Sequence, residues 1–332
     1  MNGSDGSQQW RQPWEGSANP PYAPIPPPPH PTFDLDQAIL GALREDSGVL
    51  GDVTTQATVD KDMQAEGTFL AKGDGVLAGL AVAQRVFELM AAGLQVSWSS
   101  HDGAEVTKGT RFGTVRGPAW ALLTAERIAL NYMQRMSGIA TLTAAMAARI
   151  KGHRAKLLET RKTVPGLRVL DKWAVLAGGG ANHRQGLFDM VMIKDNHVTA
   201  AGGITAAVRR TQAYFKQHNL SLPVEVETRT LAEVREVIGL LEASGGSSSI
   251  QRVMLDNMAR ADPAAEGGVD VSLLAEAQNL IGDRVDTEAS GNVTIDTVEK
   301  IASTGVTFIS CGGLTHSVAA LDISLKIKLS EQ

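Results

Sequence analysis

The chain has 332 residues, 43% of them hydrophobic, which is enough for two ordinary domains with substantial cores. Its 36 acidic and 31 basic side chains leave a net charge of -5, which argues against a nucleic-acid binder needing a basic face for phosphates. The single cysteine, Cys311, rules out an intrachain disulfide and a cysteine-rich zinc site and fits the cytoplasm; no apolar run approaches the ~20 residues that span a bilayer.

Residues 1–31 hold nine of the thirteen prolines and almost no apolar periodicity, so they read as a disordered Pro-rich tail. The tail lacks the basic and apolar regions of a secretory signal. From Asp34, a candidate N-cap, Leu35, Ile39, Leu40 and Leu43 recur at helical spacing up to a stop at Gly48. Gly51-Asp52-Val53-Thr54-Thr55 then reads as a loop. Residues 65–71, 94–99 and 110–116 read as strands and 80–92 as a helix, together a small α/β sandwich over 32–137. Pro118 suits the first turn of the next helix, whose apolar face runs from Leu122 through Ile128 to Met136. Arg127 lies on that helix and by itself reads as an ordinary exposed arginine.

Past Gly138 and a second helix, short apolar runs near 156–160, 190–193, 224–227, 252–256, 285–289 and 307–310 alternate with helical patterns. Such alternation implies parallel strands joined by right-handed crossovers. Six units are fewer than the eight of a closed barrel, so 138–316 is expected to form an incomplete, open α/β barrel. Residues 243–250 have the Ser/Gly composition of a surface linker. Ile323, Leu325, Ile327 and Leu329 alternate with polar residues as in a half-buried strand, and 317–332 is expected to rejoin the first domain.

Charged groups just beyond the strand ends of such a barrel lie where substrates bind. Thr160-Arg161-Lys162-Thr163 follows the first run and Lys194-Asp195-Asn196-His197 the second. Between them Gly178 to Gly180 lead into Asn182-His183-Arg184. One loop arginine or lysine is most often a solvated charge. Three clusters at such junctions in an acidic chain point instead to a pocket for a small, highly charged anion. Glu225 and Glu227 are read as facing opposite sides of the third strand, so that only one reaches the barrel mouth, and Asp256 ends the next strand. Neighbouring carboxylates there can hold Mg²⁺ or ribose hydroxyls, or pair with the basic loops. Ser290-Gly291-Asn292 and Gly312-Gly313 follow the fifth and sixth strands, where small residues let backbone N–H groups approach a phosphate. Seven histidines are scattered, and none forms an HExxH or HxxxH pair.

In order, GDVTT, LLETRKTVPGLR, GGGANHR, MIKDNHV, VEVE, LDN, EASGN and CGGLTHS resemble the quinolinate phosphoribosyltransferase family, over about Phe33 to Lys328. The resemblance implies an N-terminal α/β sandwich and the open α/β barrel of type II phosphoribosyltransferases. It also implies transfer of phosphoribosyl from phosphoribosyl pyrophosphate (PRPP) to quinolinate with loss of CO₂, giving nicotinate mononucleotide and pyrophosphate in NAD biosynthesis, with Mg²⁺. Quinolinate would then be anchored by Arg161, His183, Arg184 and the partner subunit's Arg127, with Thr160 beside them. Lys162 and Lys194 would face PRPP and the ring carboxylate. Glu227, as the inward acid, and Asp256 would serve ribose and metal, the metal directly or indirectly. Ser290, Gly291, Asn292, Gly312 and Gly313 would line the phosphate. The expected assembly is a homodimer with shared sites, or a higher oligomer built from it. Three alternatives stand beside this reading: a sibling enzyme acting on nicotinate or another heterocyclic acid, a lyase or aldolase with Lys162 or Lys194 as Schiff base, and a catalytically silent anion binder.

Overall fold

The computed structural model describes residues 25–245 and 248–329. Most of the expected tail at 1–31, and positions 246–247 of the expected linker, lie outside the described residues. Residues 25–34 carry no helix or strand. The chain divides into two compact units, one running to Gly138 and resuming at Ala320, the other Ile139–Ala319.

In the first unit, α1 (Leu35–Ser47) begins where the Asp34 carboxylate accepts the Gln37 N–H, and it buries Leu35, Ile39 and Leu43 at four-residue spacing. The segment read as a loop contains a helix, α2 (Val53–Thr58). Val and Thr are weak helix formers, so no propensity signal marks it; the Asp52 carboxylate, accepting the Thr55 N–H at 3.0 Å, makes the turn. There follow β1 (Gln64–Ala71), β2 (Gly75–Val76), α3 (Leu80–Leu89), β3 (Gln95–Trp98), β4 (Glu105–Val106) and β5 (Arg111–Pro118). With the last strand of the chain, Ile323–Leu329, they form an antiparallel sheet ordered last strand, β1, β5, β3, and a two-stranded pair β2–β4. Phe69 packs its ring 4.8 Å from Trp98 and 5.8 Å from Phe112, centroid to centroid, at the heart of this unit.

The two helices expected on either side of Gly138 are one, α4 (Ala119–Arg149). A mid-helix glycine costs only about 1 kcal/mol relative to alanine. Here Met133, Met136, Ile139 and Ala140 are all buried around it, and their packing outweighs that cost.

The second unit contains β6 (Lys156–Leu158), α5 (Arg168–Ala177), β7 (Val191–Ile193), α6 (Asp195–Ala201), α7 (Ile204–His218), β8 (Val224–Thr228), α8 (Leu231–Ala243) and β9 (Ile250–Asp256). After them come β10 (Arg260–Ala261), β11 (Val269–Asp270), α9 (Ser272–Ile281), β12 (Asp286–Ser290), α10 (Val298–Ala302), β13 (Phe308–Ser310) and α11 (Gly313–His316), and β14 is the closing Ile323–Leu329. Six parallel strands run in the order β6-β13-β12-β9-β8-β7, while β10 and β11 pair separately. The barrel is not closed: beside β6, the place of a further strand is taken by the single bridge Leu158–Ala181. The linker read at 243–250 is shorter than expected, because Ala243 still belongs to α8 and buried Ile250 already opens β9.

Candidate active site

The parallel strands all deliver their carboxyl ends to one rim, and β6 starts the site. Just beyond it Glu159 is fully buried against the ammonium of Lys172, which projects inward from α5. Glu159 also accepts the Asn182 side-chain N–H and the His183 backbone N–H, each at 3.0 Å, while Lys172 donates to the His183 carbonyl at 3.0 Å. A buried ion pair thus fastens the loop that carries Asn182, His183 and Arg184. Sequence reasoning assigned no role to Glu159 or Lys172.

Thr160, Arg161 and Lys162 continue from Glu159. The Thr160 hydroxyl accepts the Lys162 N–H at 3.1 Å, and the Thr315 hydroxyl donates to the Lys162 carbonyl at 2.8 Å, which ties the first strand end to the last. Arg161 and Arg184 repel each other electrostatically. Burial lowers the Arg184 pKa, and the Arg161 charge lowers it further. Arg161 Nε is buried with no hydrogen-bond partner among the described residues. Two guanidinium groups held together with an unmet buried donor make a site that an anion completes.

Glu225 and Glu227 do not face opposite sides as expected. Side chains on a strand alternate, so residues two apart share a face, and both point into the barrel at different depths. Glu225 lies deep, with its Oε2 3.1 Å from His183 Nε2; Glu288 on β12 approaches the same nitrogen at 3.3 Å. Glu288 is paired with Arg252 at 2.7 Å, and the Arg252 guanidinium lies over the Phe308 ring. The other ring nitrogen, Nδ1, accepts the backbone N–H of Arg184 at 2.6 Å. Burial depresses the His183 pKa, but the carboxylates of Glu288 and Glu225 outweigh it and raise the group to about 9. That contest favours a doubly protonated ring, whereas the Arg184 N–H is attractive only to a bare Nδ1. At 2.6 Å the contact decides for the neutral ring with its hydrogen on Nε2. Burial, then the Glu288 charge, raises the pKa of Glu225, which leaves Glu288 as the anion that Arg252 balances. One ligand atom from each of His183, Glu225 and Glu288 lies within 4.8 Å of the others, a spacing fit for a metal. A bare Nδ1 puts the hydrogen on Nε2, where a metal would need the lone pair, so this trio is a poor metal site.

Glu227, at the rim, meets a second acid group. Burial and then the neighbouring Asp256 raise its pKa, while Lys194 and Arg229 oppose the rise. Arg229, just past β8, reaches three carboxylates from three successive strand ends: Asp195 at 2.8 Å, Glu227 at 3.2 Å and Asp256 at 3.2 Å. Sequence reasoning missed both Arg229 and Asp195 here, because an exposed arginine before a helix N-cap carries no distinguishing signal. Lys194, Asp195, Asn196 and His197 are also not a plain loop: Lys194 precedes α6, and His197 Nδ1 accepts the Lys194 N–H at 3.0 Å.

The last two strand ends are built for close approach. Gly291 has φ +106°, and a Cβ there would stand 2.2 Å from Asn257 Oδ1. A Cβ on Gly312 would stand 2.9 Å from Lys162 Cδ, so the Lys162 stem runs directly over that loop. Ser290 ends β12, exposed Asn292 follows with φ 49°, and Gly313 opens α11. All the sequence-predicted site residues from Thr160 to Gly313 therefore lie at or beyond the strand ends of the second unit. Arg127 alone belongs to the first unit, exposed on α4.

Comparison with known proteins accords with this architecture. Residues 52–137 match the model of the quinolinate phosphoribosyl transferase N-terminal domain, and residues 139–326 that of its C-terminal domain. A chloroplastic nicotinate-nucleotide pyrophosphorylase [carboxylating] of Arabidopsis thaliana is 58% identical over 91% of this chain and 85% of its own length. A probable enzyme of the same name from Bacillus subtilis is 38% identical over 87% of this chain and 91% of its own. The crystal structure of NadC from Streptococcus pyogenes superposes with a TM-score of 0.78 at 37% identity, covering 90% of this chain and 97% of that one. With both domain models matched in order and the site residues gathered on one barrel rim, the chain belongs to the quinolinate phosphoribosyltransferase family.

Proposed function

We propose that the protein transfers the phosphoribosyl group of PRPP to quinolinate and releases pyrophosphate and CO₂, forming nicotinate mononucleotide. The observation that carries this reading is the Arg161–Arg184 pair with its unmet buried donor. Two adjacent guanidinium forks suit a rigid acid with two carboxylates better than an acid with one. Lys162 and Lys194, exposed beyond the ends of β6 and β7, add cationic charge for the ring carboxylate and the phosphates. Gly291, Gly312, Gly313, Ser290 and Asn292 leave room for the phosphate, while Glu227 and Asp256 face the ribose.

The chemistry requires little covalent help from the protein. The pyridine nitrogen attacks the anomeric carbon as the bond to pyrophosphate breaks, through an oxocarbenium-like state that nearby carboxylates stabilise. Positioning of the two substrates supplies much of the acceleration. The pyridinium so formed stabilises the carbanion left when CO₂ departs from the adjacent carbon, and a proton from solvent completes the product. Glu227 Oε1 is buried without a hydrogen-bond partner, and Asp195, Glu227 and Asp256 all surround the Arg229 guanidinium; carboxylate oxygens are the hard donors that Mg²⁺ takes. Glu227 and Asp256 would hold the ion, which when bound neutralises charge on the leaving pyrophosphate. Arg229 balances these acids otherwise.

A homodimer with Arg127 contributed in trans is part of the proposal; its support is the family resemblance and the separation of Arg127 from the other ligands along the chain. Among the described residues, no helix is long and apolar enough to cross a membrane. Buried Cys311 favours a reducing compartment. The cytoplasm is the proposed location, which fractionation of the native host checks, since the Arabidopsis relative is named chloroplastic.

Incubation with quinolinate, PRPP and Mg²⁺ is expected to yield nicotinate mononucleotide, pyrophosphate and CO₂ in equal amounts. Turnover of nicotinate with none of quinolinate would replace this reading with the sibling enzyme. Arg161→Lys and Arg184→Lys keep the charge and lose the fork, so each is expected to lower kcat/KM for quinolinate by about a hundredfold. Wild-type kinetics in both would mean that neither arginine clamps a carboxylate.

A further inference from the structure

The acids at the barrel rim and the cation they share differ sharply in exposure. The Glu227 side chain is 6% exposed and that of Asp256 13%, whereas the Arg229 side chain is 49% exposed. Two carboxylates so far out of water need a cation, because neither can regain hydration where it stands. The cation that meets them reaches in from the solvent side and fits loosely. Arg229 Nε donates to Asp256 Oδ2 at 3.2 Å, longer than the roughly 2.7–2.9 Å usual for a charged pair. Arg229 Nη2 lies 3.2 Å from Glu227 Oε1 without aligning as a hydrogen bond, so that buried oxygen has no hydrogen-bond partner among the described residues. Neither contact is the two-pronged fork that makes an arginine–carboxylate pair strong. The short contact, 2.8 Å to Asp195, is with an acid that is itself 44% exposed, and pairs of that kind contribute little.

Only the backbone of Arg229 is held tightly. Its N–H donates to the Glu233 carboxylate at 2.7 Å, and the same carboxylate accepts the Thr230 N–H at 2.9 Å in the capping box of α8. The side chain thus hangs from a fixed point over buried acids, and it can swing into water while Glu227 and Asp256 cannot. A divalent ion brings twice the charge and takes carboxylate oxygens directly. We infer that Arg229 is a resident counter-ion of Glu227 and Asp256 that Mg²⁺ displaces, and that it thereby sets how tightly the protein binds the ion. This rests on the reading of those two acids as the Mg²⁺ ligands. Each ion bound must release Arg229, so its apparent affinity is reduced to the fraction of molecules in which the arginine has already left.

The test uses the full-length enzyme stripped of metal by a chelator, with Mn²⁺ as the probe and the loss of its free-ion EPR signal as the readout. Arg229→Met keeps the stem and removes the charge, and Arg229→Lys is its conservative counterpart. Mn²⁺ is expected to bind Arg229→Met about tenfold more tightly than wild type, which corresponds to an arginine seated in about nine molecules of ten. Arg229→Lys should stay close to wild type. Glu227→Gln should abolish Mn²⁺ binding with or without Arg229→Met. In enzyme labelled with ¹⁵N-arginine, the Nε–H signal of Arg229, assigned by its loss in Arg229→Met, should move to the position of a solvent-exposed arginine on saturation with Mg²⁺.

Equal affinity in wild type and Arg229→Met, with binding abolished by Glu227→Gln, would overturn the inference and leave the metal reading standing. An Arg229 signal that Mg²⁺ leaves in place would overturn it even if the affinities differ, since a charge acting only through space needs no movement. Mn²⁺ binding that survives Glu227→Gln, or none in any of these proteins, would remove the metal reading and this inference with it. Should Glu227→Gln fail to fold, Asp256→Asn makes the same comparison.

Discussion

Lys172→Met is expected to destabilise the barrel unit by about 3–5 kcal/mol, the cost of leaving a fully buried charge without its partner. Both Lys172 and Glu159 are excluded from solvent, so Glu159 could not recover hydration in place of the lost ammonium. Burial depresses the Lys172 pKa, and the Glu159 charge opposes the depression, as in an ion pair whose attraction must offset its own desolvation. Adding Glu159→Leu to Lys172→Met removes the stranded charge and should return part of the stability. It should not return activity. Without Glu159, the His183 N–H loses its acceptor and the Asn182 amide one of its two, and the Arg184 loop is held less firmly. Urea midpoints checked alongside quinolinate binding separate the two effects. A double variant as active as the wild type would show that the pair stabilises the barrel without setting the loop, and a single variant within about 1 kcal/mol of wild type would contradict the burial argument itself.

The same pair shows what a single sequence can and cannot disclose. Most of the six barrel strands were legible because they carry short apolar runs that stop at charged or glycine-rich residues, and the site was legible because those charges cluster where the runs stop. Lys172 was not, since a lysine on an amphipathic helix is by default a solvated one and only packing reveals that this one points inward. Glu288 sits in a strand buried on both faces, where no alternation distinguishes an inward acid. Glu225 was legible in principle: residues two apart on a strand share a face, so the acid that lines the mouth at Glu227 carries its deeper neighbour with it. Gly138 misled in the other direction, because a residue that often stops helices sits here between buried side chains on both flanks. Arg229 gathers three carboxylates through tertiary contacts alone, which no local pattern records.

Mixing two inactive variants is expected to restore about a quarter of wild-type activity, if active sites are shared across a two-fold dimer. Arg127 lies in the first unit, on the exposed side of α4, and Lys194 lies at the rim of the second. In a dimer whose sites each draw Arg127 from one chain and Lys194 from the other, Arg127→Ala inactivates both sites of its own homodimer, and Lys194→Ala does the same. When equal amounts are unfolded together and refolded, half of the dimers contain one chain of each kind. Such a dimer has one site with both defects and one with neither, so half of its sites work, and about a quarter of all sites work across the mixture. If Arg127 serves its own chain, every site keeps one defect and no activity returns. Mass measurement of the mixed dimers, with a refolded wild-type control, shows whether mixing took place. Mixed dimers that stay inactive beside an active control would place Arg127 in cis or outside the site, and the barrel residues would then have to supply all of the charge that meets the substrate's carboxylates.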